Sequence, residues 1–120
     1  MNKHDTLTLL ARLIIGGIMA YAGWMKVSDM ANTVTMFQQM GLGEIVTYLV
    51  SYGELLGGLG LVLGLYTKLA SLGLTVIMAG AVYFTWGMGF QGYSFPLGLI
   101  GGLLALIATG AGSYTVRFGR

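Results

Sequence analysis

Four apolar stretches make up most of this 120-residue chain: Leu7–Trp24, Ile45–Tyr66, Leu69–Gly87 and Phe95–Tyr114. Each approaches the ~20 residues an α-helix needs to cross the hydrocarbon core of a bilayer. Charged residues make up only 8% of the sequence, against roughly 25% in soluble domains. The polar surface is too small to face water. The reading is an all-α fold, an integral membrane four-helix bundle in a single domain spanning residues 1–120.

The first stretch exceeds the apolar run of a secretory leader, carries Arg12 inside it, and offers no clean small-residue cleavage site before Trp24. It reads as a retained helix. Only Tyr66-Thr67-Lys68 separates the second and third stretches. Gly64 is placed to end one helix and Thr67 to cap the next, which predicts a tight antiparallel hairpin. The Gly87–Tyr93 segment reads as a glycine-rich turn, with Ser94 as cap and Pro96 in the first helical turn. Between the first two stretches, Lys26–Gly43 contains a short amphipathic segment. Asp29 can cap it, and Met30, Val34, Phe37 and Met40 share a face. It is expected to lie flat on the outer membrane surface.

Charge bias sets an expected orientation. With four crossings, Lys3, Lys68, Arg117 and Arg120 fall on one side, with Arg12 near it, and Lys26 opposite. The positive-inside rule then puts both termini in the cytoplasm.

The chain has no cysteine, and His4 is its only histidine. Thiolate metal sites, cysteine nucleophiles, bis-histidine haem ligation and an intramembrane Ser/His pair are therefore excluded for a monomer. Basic residues are scattered, so no nucleic-acid footprint exists, and no phosphate loop occurs. Met25, Met30, Met36, Met40 and Met88 read as apolar filler rather than a copper site. No metal is expected. The glycines on the second and fourth stretches read as helix-packing positions.

Glu54 is the residue that needs explaining. It lies about nine residues into the second stretch, roughly 14 Å deep at 1.5 Å per residue. A central charge costs at least ~2.5–3.5 kcal/mol on insertion scales, so it needs a partner or a role. Arg12, about 8 Å deep from the other side, is the candidate cation. Arg12, Gly16, Met19, Gly23 and Lys26 form one stripe on the first helix; Ser51, Glu54, Gly58 and Leu61 form one on the second. These stripes are predicted to face each other, bringing Arg12 to Glu54. Two readings stay open. The contact could merely lock the helices together, or Arg12 could snorkel to headgroups and leave a neutral Glu54 bonded to Ser51 or a carbonyl. Aromatic walls above Glu54 are expected from Trp24, Tyr83 and Trp86, which otherwise serve as interface anchors.

Several segments together resemble the DoxX family. They are Ala11-Arg12-Leu13, Ala22-Gly23-Trp24-Met25-Lys26 and Phe37 with Met40-Gly41, then Gly53-Glu54-Leu55-Leu56-Gly57-Gly58, Gly64-Leu65-Tyr66-Thr67-Lys68 and Thr109-Gly110-Ala111-Gly112-Ser113-Tyr114. The resemblance covers nearly the whole chain and rests on order and spacing. It implies a four-helix inner-membrane protein associated with quinone and thiol redox chemistry and oxidative stress, with Arg12, Lys26 and Glu54 at the family's polar positions. Val116 departs from the pattern, standing where relatives often carry an acid.

The leading functional expectation is a DoxX-like subunit of a membrane oxidoreductase that binds a quinone or other small apolar ligand. Glu54 would exchange a proton, and Arg12, Lys26, Ser51, Trp24, Tyr83 and Trp86 would contact the ligand. No cofactor is expected on this chain alone, quinone aside; the redox centre would sit on a membrane or soluble partner protein. A non-enzymatic scaffold or assembly partner is one alternative. A small transporter or channel, working as a homo-oligomer, is another.

Overall fold

The computed structural model describes residues 3–112, 114 and 115. Val116, Arg117 and Arg120 lie outside them. The described residues are helical almost throughout: α1 (Lys3–Ser28), α2 (Met30–Gln39), α3 (Glu44–Leu63), α4 (Thr67–Thr85), a 3₁₀ turn (Trp86–Met88) and α5 (Phe90–Thr109). Among them, α1, α3, α4 with its 3₁₀ turn, and α5 are long and apolar enough to cross a membrane. Leu7, Ile14, Ile45, Leu49, Leu56, Leu69, Val76 and Leu104 are all exposed on their flanks. In water such a surface would aggregate; in a bilayer it is solvated by lipid tails. This is a multi-pass membrane protein in contact with lipid.

Because lipid removes the hydrophobic drive between helices, close packing must hold the bundle together. The tightest seam joins α1 and α3, which run antiparallel and meet through glycine. A Cβ on Gly58 would collide with the backbone of Ala20, and one on Gly23 with the backbone of Leu55. The two predicted stripes do face each other, with Arg12, Gly16, Met19 and Gly23 buried on α1 and Ser51, Glu54, Gly58 and Leu61 on α3. The pair α4 and α5 packs almost as extensively, and Leu74, Met78, Leu99, Leu103 and Leu106 join Ile15, Met19 and Leu61 in a common core.

The α3–α4 hairpin closes as expected at Gly64, which is left-handed (φ 79°). The Leu65 amide donates to the Gly60 carbonyl at 2.8 Å, completing a helix-ending turn. Thr67 is not the cap. Tyr66 takes that position in a left-handed conformation (φ 50°), and Thr67 opens the helix. Here the short turn outweighs side-chain capping preference. The start of α5 also differs from expectation. It begins at Phe90 after Gly89 (φ 82°), so Ser94 and Pro96 lie inside the helix. A proline there crowds the carbonyl four residues earlier, and that residue is Gly92.

The amphipathic α2 forms where the pattern placed it. Asp29 sits at its N-cap but makes no side-chain capping bond. Instead the Thr33 hydroxyl donates to the carbonyls of Lys26 and Asp29, both at 3.0 Å. This ties the α1–α2 corner and buries Thr33 and Phe37. The molecule thus has a hairpin end, around Tyr66 and Thr109, and a lid end, around α2.

Candidate functional site

The two cations of the α1 stripe lie fourteen residues apart in sequence, about 21 Å along a helix. They have opposite fates.

At the hairpin end, Arg12 is 1% exposed. Its Nε donates to the Leu61 carbonyl at 2.9 Å and its Nη2 to that of Val62 at 3.3 Å. Its Nη1 donates to the carbonyls of Ala111 (2.7 Å) and Tyr114 (2.6 Å). Leu61 and Val62 belong to the last turn of α3, where carbonyls lack helical partners and the helix dipole is negative. Arg12 therefore closes the end of α3 and fastens the segment after α5 to the bundle. It neither snorkels outward nor reaches Glu54.

The expected Arg12–Glu54 contact is thus corrected. The antiparallel register sets Gly23, not Arg12, beside Glu54. Depths measured inward from the ends of the apolar runs hid this offset, because α1 extends beyond its run at both ends, from Lys3 to Ser28.

At the lid end, the partner of Glu54 is Lys26, in the last turn of α1. Lys26 Nζ donates to Glu54 Oε1 at 2.7 Å. The Glu54 side chain is 4% exposed and that of Lys26 29% exposed. The lysine stem runs down the helix to a buried acid, while its head keeps partial access to the surroundings. A pair held this way offsets the cost of burying either charge alone.

This pair opens onto a cavity of about 520 Å³ between the two helix pairs. Ile18, Met19 and Ala22 of α1, Val50 of α3, Ile77 and Phe84 of α4, and Leu99 of α5 line it, with Phe37 of α2 above. Lys26 and Glu54 are its only charged lining residues among those described. Its size falls in the ~300–1,000 Å³ range of small-molecule sites, and an apolar wall with a few polar groups is their usual composition. Chemically, the pair offers an ammonium that can hold an oxygen and a carboxylate that can take a proton, in a setting of low dielectric.

The other expected contact residues are placed elsewhere. Ser51 is fully buried on the α1-facing side of α3, is not part of the cavity wall, and its hydroxyl has no hydrogen-bond partner among the described residues. Trp24 (57% exposed), Tyr83 (77%) and Trp86 (61%) point outward. At 100° per residue, Trp24 falls on the far side of α1 from Ala22, and Tyr83 lies a full step around α4 from Phe84. Trp86 stacks on Tyr93, with ring centroids 4.5 Å apart. The aromatic walls are instead Phe37, Phe84 and Phe95. Phe37 carried a signal, since it lies on the apolar face of α2; Phe84 had none beyond hydrophobicity.

A lipid-embedded helical bundle with one charged pair facing an apolar cavity defines a class of small polytopic membrane protein. The DoxX family model matches residues 7–87, so the chain belongs to the DoxX family. It is 30% identical over 118 residues to the inner membrane protein YqjF of Escherichia coli K12, covering 94% of this chain and 91% of that one. It is 32% identical over 83 residues to a Bacillus subtilis 168 protein named "Putative oxidoreductase CatD", covering 68% of this chain and 62% of the relative. No solved structure matches the chain.

Proposed function

We propose that this protein is an inner-membrane subunit that binds a quinone, or a similarly small apolar molecule bearing carbonyl or hydroxyl oxygens, in the cavity beside Glu54. The observation that carries this reading is the Lys26–Glu54 pair, 2.7 Å apart, as the charged feature of an otherwise apolar cavity of about 520 Å³. An intramembrane ionisable pair beside such a space is a functional-site hypothesis in its own right. The oxidoreductase name of the Bacillus relative and the inner-membrane name of the Escherichia relative support the chemistry and the location.

In this reading Lys26 holds a ligand oxygen and Glu54 gives or takes the proton that must accompany charge in low dielectric. Electrons come from a partner protein. The test is saturation binding of a quinone analogue to the purified protein in nanodiscs, together with survival of the host under quinone stress. Glu54→Gln is expected to weaken binding by about tenfold or more, equivalent to 1.4 kcal/mol, and to remove the protection. Unaltered binding and unaltered resistance would refute the proposal.

A scaffold reading has one observation in its favour. Gly101 on α5 faces open space, with nothing within 4 Å of where a Cβ would stand, so a partner helix could approach there. Gly57, by contrast, is filled by Leu74 of the same chain at 3.0 Å. Gly101→Leu therefore isolates the scaffold role: it should abolish assembly with a partner if that reading holds, and leave quinone binding intact.

A further inference from the structure

The ends of α3 and α4 are unequal. Near the hairpin they touch: Gly57 meets Leu74, and Gly53 meets Ile77. At the level of Ile77 and onward toward the lid end the neighbouring residues line the cavity, and several of them are exposed. Leu49 is 67% exposed and Val76 66% exposed, and Gly80 is exposed too, yet all three border the cavity. A residue that is both cavity wall and outer surface marks an opening. On the α4–α5 side Phe95 (62% exposed) and Phe84 (40%) also border the cavity, but there two aromatic rings occupy the rim, whereas the α3–α4 rim includes a glycine.

The depth of that opening decides what can use it. Val76 is the middle residue of α4 (Thr67–Thr85), and Leu49 lies five residues into α3, about 7.5 Å from its start. The opening is therefore level with hydrocarbon tails rather than headgroups. The lid end is narrower. Phe37 is 8% exposed over the cavity, and Met40 and Val46 border it but are less exposed (42% and 38%) than Leu49 and Val76. The Thr33 bonds to Lys26 and Asp29 hold α2 in place. The charged pair sits at the back, with Glu54 3% exposed.

We propose that the ligand enters sideways from the bilayer between α3 and α4, and that it is an amphipathic molecule whose oxygen-bearing ring docks at Lys26 and Glu54 while an apolar tail stays in the opening and the lipid. This rests on the proposed quinone-type site and adds to it the route and the tail. A water-borne ligand would have no reason to meet an entrance lined by leucine and valine at the depth of the hydrocarbon tails. A tail left in the opening also explains why the cavity needs no more than a ring's worth of polar groups.

The test compares two probes in phosphatidylcholine nanodiscs, corrected for partition into empty discs. One is a methoxy-substituted benzoquinone with a decyl tail; the other is the same ring with a methyl group in place of the tail. Wild type should bind both. Leu49→Trp and Gly80→Trp, which fill the opening without touching the charged pair, should weaken the tailed probe about tenfold, the scale of an overpacked contact, and leave the tail-less one within about threefold. Gly80 has nothing within 4 Å of an added Cβ, so its variant is the safer folder should Leu49→Trp fail. If wild type binds neither probe, the site reading falls and the route with it. If wild type binds both and the rim variants change both equally, or neither, the route alone is overturned.

Discussion

Arg12 and Lys26 lie on the same face of the same helix, and what surrounds them differs in kind. Arg12 is enclosed by four backbone carbonyls from the end of α3 and the segment after α5. Lys26 meets one carboxylate, beside open volume. A guanidinium buried against main chain, 1% exposed, presents no open face to a ligand. An ammonium–carboxylate pair at the wall of a cavity does, because either partner can exchange its contact for one with a ligand. Buried charge in a membrane protein thus serves two purposes here: at the hairpin end it fastens helices, and at the lid end it is exposed to exchange.

The largest effect should come from the hairpin end. Arg12→Met removes the donor from four carbonyls, and each buried acceptor left unsatisfied costs about 1–3 kcal/mol. Denaturant titration in detergent should show a loss of at least about 3 kcal/mol, or no folded protein. Arg12→Lys should not rescue it fully, since a point charge cannot reproduce the planar fork. A stable Arg12→Met protein would break the distinction between the two ends.

Next comes the seam that both ends share. Gly58→Leu places a side chain against the Ala20 backbone, an overpacking worth about 1–3 kcal/mol. It should lower the unfolding midpoint and, by prising α1 from α3, weaken ligand binding as well. Glu54→Gln should have the opposite profile. Its Lys26 partner retains surface access and can turn outward, so stability should change by about 1 kcal/mol or less while ligand affinity drops about tenfold. Smallest are Trp24→Ala and Tyr83→Ala. Both rings point away from the cavity, and each substitution should stay within about 0.5 kcal/mol with binding unchanged.

Much of the fold was legible because bilayer thickness imposes helix length, and the Gly64 turn and the facing stripes follow from local chemistry. The start of α5 was harder to place, since it is set by Gly89 at positive φ (82°) rather than by Ser94 and Pro96, which lie inside the helix. At the site, Glu54 stood out because a deep acid is costly. Its partner did not, because pairing depends on the register of two antiparallel helices, and the Gly23 and Gly58 contacts that set this register say nothing about depth when read one helix at a time. Which aromatics face inward was likewise undecided until the rotation of α1 and α4 was known.

The contrast between the two ends can be tested in a single sample. The protein has only two glutamates, Glu44 and Glu54, so solid-state NMR of side-chain carboxyl-labelled glutamate in liposomes resolves Glu54 against an internal control. Labelled arginine reports Arg12, its signal assigned by its loss in Arg12→Lys. Addition of the tailed quinone probe should shift the Glu54 carboxyl resonance and leave those of Glu44 and Arg12 in place. A ligand that moves Arg12, or that binds and leaves Glu54 unmoved, would contradict the assignment of structure to one end and exchange to the other.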